Sequence, residues 1–101
     1  MKRLAFLMVL FAFPAHATEP PAEWLDKPYS GTIGVVQLEP EMLKDICTSR
    51  LGEFEDMGCA VVIPDYCGIW IRNDLPPLEY DLVLRHETAH CKGWPQSHPL
   101  D

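Results

Sequence analysis

An α+β domain with the order β-α-β-β-α follows from three observations on this chain. Apolar, β-branched centres recur in GTIGVVQL, CAVVI and GIWI, each bounded by Gly, Pro, Asp or Asn as strands are. Two stretches with helix-start and helix-stop residues lie between and after them. Four cysteines in a short chain supply covalent ties that a small core needs.

The first seventeen residues stand apart. Lys2 and Arg3 precede an apolar run from Leu4 to Phe13, Pro14 breaks it, and Ala15-His16-Ala17 offers small residues to a signal peptidase. This is the three-part pattern of a secretory signal, with cleavage expected after Ala17. As an anchor the run is too short: it reaches about 15 Å as a helix, half of a hydrocarbon core of roughly 30 Å. Residues 1–17 are therefore read as a signal peptide of a periplasmic or secreted protein, with no stable membrane anchor after cleavage. The chain from Thr18 to Asp101 has 84 residues, enough for one domain. Losing Lys2 and Arg3 leaves six basic residues against fifteen acidic ones, a net charge of −9 with neutral histidines. That charge disfavours nucleic acid and anionic membrane as partners.

Residues 18–30 are rich in proline and charge and read as an extended N-terminal arm, with Trp24 and Leu25 as its pins. The domain proper is expected at 31–101. Gly31 to Leu38 suits a strand. Glu39-Pro40-Glu41 then opens a helix, with proline in the first turn and carboxylates at the positive end of the dipole. Met42, Leu43, Ile46 and Cys47 form its apolar stripe, and Gly52 follows its end. After an acidic loop from Glu53 to Gly58, Cys59 to Ile63 and Gly68 to Ile71 read as two strands joined through Pro64-Asp65. Asp74 to Pro77 breaks the chain, and a helix from about Leu78 to Lys92 ends at Gly93, with Pro95 forbidding continuation. On its wheel Glu79, Leu82, Val83, His86 and His90 fall on one face, Tyr80, Leu84 and Cys91 on another.

In an oxidising compartment Cys47, Cys59, Cys67 and Cys91 read as two disulfides rather than zinc ligands, since no CxxC spacing occurs. Three pairings are possible. The favoured expectation is Cys59–Cys67 across the hairpin, with Cys47–Cys91 tying the two helices.

The chemistry concentrates at the end of the second helix. His86-Glu87-Thr88-Ala89-His90 is an HExxH string, and His98 follows eight residues after His90. Positions i and i+4 of a helix share a face roughly 6 Å apart, which lets two imidazoles hold one Zn²⁺. Beyond the expected signal, these are all the histidines of the chain. Glu87 is the candidate general base for water activated at the metal. His98 is the favoured third ligand, because Gly93 and Pro95 release the chain to turn back; Asp101 competes for that place. Trp94 reads as a packing anchor beneath this turn.

At HETAHCKGWPQSHP the chain resembles the zincin metallopeptidases. The resemblance implies a zincin-like domain with His86 and His90 as zinc ligands and Glu87 as catalytic base. It also implies a sheet edge that aligns a peptide, a part that Gly68 to Ile71 is placed to play. The metzincin spacing would put histidine at Gln96, and no methionine follows for a Met-turn. The HExxHCxGWPxxHP ending is closer to small exported bacterial metallopeptidases. The expected function is thus an exported zinc-dependent hydrolase acting on a protein or peptide. The alternative is a non-catalytic module, held by zinc and disulfides, that binds another envelope protein. Oligomeric state leaves no mark on the sequence.

Overall fold

Strand register decides which side chains of this small domain meet. A computed structural model describes residues 18–51 and 57–100; the expected leader at 1–17, the loop at 52–56 with Gly52, and Asp101 lie outside the described residues. Three strands, β1 (Thr32–Leu38), β2 (Gly58–Ile63) and β3 (Tyr66–Arg72), form one sheet in the order β1-β3-β2. β1 runs parallel to β3, setting Ile33 beside Cys67 and Val36 beside Trp70. β2 runs antiparallel to β3, setting Val62 beside Cys67 and Cys59 beside Trp70. A parallel pair needs a crossover, and α2 (Pro40–Leu51) with β2 supplies it. α3 (Pro77–Cys91) completes the β-α-β-β-α order.

Alternation along the strands sends Cys67, Ile69 and Ile71 to one face and Trp70 to the other. On the first face Ala60, Cys67, Ile69 and Ile71 form a buried cluster with Val83 and Cys91 of α3. On the second, Cys59 joins Leu43 and Cys47 of α2, with Leu38 and Trp70 packed beside them. One helix therefore covers each face. Ile69, Ile71 and Leu43 are fully enclosed, each contributing about 1.5–3 kcal/mol of apolar burial. The wheel that separated Val83 from Cys91 is corrected here. The two stand eight residues apart, two helical turns and a fraction, and both face the sheet.

The disulfides differ from the favoured pairing. They join Cys47 to Cys59, with Cα atoms 5.8 Å apart, and Cys67 to Cys91, with Cα atoms 5.7 Å apart. The register gives the reason. Cys67 is opposite Val62, and Cys59 lies an odd number of residues from Val62, so the two cysteines sit on opposite faces of the sheet. Each bridge instead pins one helix to the face it covers. The chain-entropy estimate for loops of 12 and 24 residues is about 3 kcal/mol each. Two disulfides of this kind imply an oxidising environment. No described helix is long and apolar enough to cross a membrane.

Two further expectations change. The arm at 18–30 is not wholly extended, because Ala22–Asp26 forms a short helix, α1. The Trp24 N–H donates to the Pro21 carbonyl at 3.0 Å and closes its turn. It stops at Lys27, whose ψ of 143° is extended, as the residue before a proline prefers. In addition, β3 is the central strand, with β1 and β2 on its two sides. Gly68 to Ile71 has no open edge to align a peptide. Among the described residues the edges belong to β1 and β2.

Candidate metal centre

Local sequence aims the C-terminal turn of α3. Pro77 opens the helix in its first turn, where no intrahelical N–H partner is lost. Gly93 closes it in a left-handed conformation with φ of 105°. The Gly93 N–H donates to the His90 carbonyl and the Trp94 N–H to the Ala89 carbonyl, both at 3.0 Å. This is the paired bonding of a Schellman cap. It folds Trp94 back under the helix, where only 2 % of its surface stays exposed.

Among the described residues, His86, His90 and His98 form a group able to hold a metal ion, with ligand atoms within 4.8 Å of one another. Their ring centroids make a near-equilateral triangle with sides of 4.9, 4.8 and 4.9 Å. The Trp94 ring lies 5.1, 5.0 and 5.1 Å from the three and caps the triangle. His90 Nε2 stands 3.1 Å from His98 Nε2. Two nitrogens on one tetrahedral ion with M–N bonds of 2.0–2.1 Å stand about 3.3 Å apart; the His90–His98 pair is near that spacing, and the group as a whole spans up to 4.8 Å.

No family model, curated protein or solved structure matches this chain. The functional reading therefore rests on the centre itself.

Backbone carbonyls orient both helical ligands. His86 Nδ1 donates to the Thr18 carbonyl at 2.7 Å, and His90 Nδ1 donates to the Trp94 carbonyl at 2.7 Å. Either bond places the proton on Nδ1 and leaves Nε2 unprotonated, the form in which a ring nitrogen ligates a metal. Trp94 acts a second time through its indole, which donates Nε1–H to the Pro99 carbonyl at 2.8 Å. With the His98 N–H bonded to the Pro95 carbonyl at 2.9 Å, this fixes the loop that carries His98. His98 itself holds a left-handed φ of 57°. A non-glycine residue pays on the order of 1–2 kcal/mol there, and such strain collects at functional sites.

Glu87 stands between Val83 and Cys91 on the ridge that faces the sheet, and is 2 % exposed. It is a buried carboxylate, next in sequence to His86. Of the nearby basic side chains, Arg85 bonds Glu19 and Asp81, and Lys92 bonds the Leu25 carbonyl. Arg85 holds the Glu19 carboxyl below its usual range through those hydrogen bonds.

Burial pushes the His90 imidazole down to about 4, reinforced by His86 and His98 and opposed by its bond to the Trp94 carbonyl. At neutral pH it is an uncharged ligand. In the unfolded chain the same group titrates near 6.5, so between those values the unfolded state binds the extra proton. Stability of the metal-free protein is then full above about pH 6.5 and falls as pH drops toward 4. Urea denaturation at pH 7.5 and 4.5 is expected to differ by about 2 kcal/mol from this group. A His90→Gln variant with an unchanged difference would refute that assignment.

The site residues read from sequence thus separate into three groups. His86, His90 and His98 are brought together, Glu87 is enclosed beside them, and Asp101 lies outside the described residues. Sequence reasoning missed the carbonyls of Thr18 and Trp94, because a main-chain acceptor has no residue signature. The Glu19–Arg85 pair was missed because its partners are 66 residues apart.

Proposed function

We propose that this chain is an exported zinc-dependent hydrolase, a metallopeptidase acting on a protein or peptide in the bacterial envelope. The observation that supports it is the convergence of three imidazoles, two of them with Nδ1 committed to a carbonyl. Bound zinc supplies a Lewis acid for a carbonyl oxygen and lowers the pKa of water to about 7. His86, His90 and His98 would hold the ion through ring nitrogens. The Thr18 and Trp94 carbonyls keep the ligand protons at Nδ1. Glu87 takes a proton from the attacking water at a carboxylate oxygen and returns it to the departing amine.

The enclosure of Glu87 favours a second reading, in which zinc and disulfides stabilise a non-catalytic module that binds another envelope protein. Two measurements on protein purified after export separate the readings. The hydrolase is expected to hold one zinc per chain and to cleave unfolded polypeptide in a manner stopped by a chelator and restored by zinc. Stoichiometric zinc without cleavage supports the second reading. Less than about 0.2 zinc per chain after mild purification sinks both.

A further inference from the structure

The segment before α1 lies along the outer side of α3 and touches it next to the centre. Thr18 supplies the carbonyl for His86 Nδ1. Glu19 forms a two-pronged ion pair with Arg85, the residue before that ligand, through Nε to Oε2 at 3.1 Å and Nη2 to Oε1 at 2.8 Å. Asp81, one turn earlier, holds the same guanidinium from the other side. Pro20 is buried, and further along the Leu25 carbonyl accepts from Lys92 while the Trp24 ring lies against Gly93. These contacts run from residue 85 to residue 93 of the metal-bearing helix and its cap.

An imidazole left alone in water prefers its proton on Nε2. That tautomer points a proton, not a lone pair, at the metal. For His90 the correction is local, since Trp94 is four residues away. For His86 it comes from 68 residues earlier in the chain, and closing so long a loop has an entropic cost that something must offset. The forked Glu19–Arg85 pair ties the residue after Thr18 to the residue before His86, and a two-pronged pair of this kind adds geometric specificity to their approach.

We infer that residues Thr18 to Leu25 form a strap that regulates the metal centre by selecting the His86 tautomer, with Glu19 and Arg85 as its clasp. The inference rests on the zinc reading given above for the consequence, and on the apo centre for the mechanism. Docking of the strap completes the ligand set, and its release weakens the ion's hold without removing any ligand. Glu19 and Arg85 are positioning residues.

The test is a double-mutant cycle on the full chain with Glu19→Gln, Arg85→Gln and both together. Zinc affinity is measured at pH 7.5 by competition with a chromophoric chelator, and imidazole tautomers are read from long-range ¹H–¹⁵N spectra of the metal-free proteins. Each single variant is expected to bind zinc roughly 10- to 20-fold more weakly, at the low end of the range for loss of ligand orientation. The double variant is expected to be no weaker than the worse single. The His86 spectrum is expected to move from the Nδ1–H form toward a mixture while His90 stays unchanged. Affinities within twofold of the parent, or an unmoved His86 tautomer, overturn the strap. A parent that takes up no zinc overturns the metal reading instead, and the His86 tautomer in the variants then decides the strap alone.

Discussion

His90→Ala is expected to weaken zinc binding on the order of a thousandfold, the largest effect of any single replacement in this chain. Structural zinc sites contribute about 10–16 kcal/mol in all, and one ligand of the set carries a substantial share. His90 is also the hub of the centre. Its Nδ1 occupies the Trp94 carbonyl, its ring stacks on Trp94 with planes 23° apart, and its Nε2 faces His98. Truncation leaves a cavity and an unpaired carbonyl, so the metal-free variant is expected to lose about 2–4 kcal/mol as well. Chelator competition and denaturant unfolding of the same preparations separate the two losses. Stoichiometric zinc in dialysed His90→Ala protein would remove this residue from the ligand set.

Glu87→Gln is expected to lower turnover by about 10²–10⁴-fold while leaving zinc at one per chain. The amide matches the carboxylate in shape but accepts no proton. Since Glu87 is 2 % exposed, the exchange is made inside the packed protein, and stability is measured beside the rate. Rate and metal content must therefore be read together. Loss of both would report damage to the site, whereas loss of rate alone identifies the base. A variant that hydrolyses within threefold of its parent would place the base elsewhere.

Much of the fold was legible because its signals are local. The β-branched runs, Pro40 at a helix start and Gly93 at a helix stop each act within a few residues. The disulfide pairing was not legible, because it depends on the parity of the hairpin register, and a one-residue change moves a cysteine to the other face. The central place of β3 likewise follows from a parallel partner more than thirty residues away. Within the site, spacing along one helix revealed His86 and His90, and clustering pointed to His98. What orients those rings is main chain: the Trp94 carbonyl, four residues beyond His90, and the Thr18 carbonyl, 68 residues before His86 and brought close only by the completed fold.

The bridge from Cys67 to Cys91 begins at the residue next to His90. Before oxidation, Cys91 and the other three thiols are softer and stronger donors for zinc than any imidazole. An ion that arrived early would be drawn to sulfur and would hold the sheet and helices in a wrong arrangement. Oxidation withdraws all four sulfurs, since the chain has no free cysteine. For the metal centre proposed above, bridges are then expected to form before the ion binds. A compartment that forms disulfides thus acts as a sorting step, leaving an arriving ion nitrogen and oxygen but no sulfur.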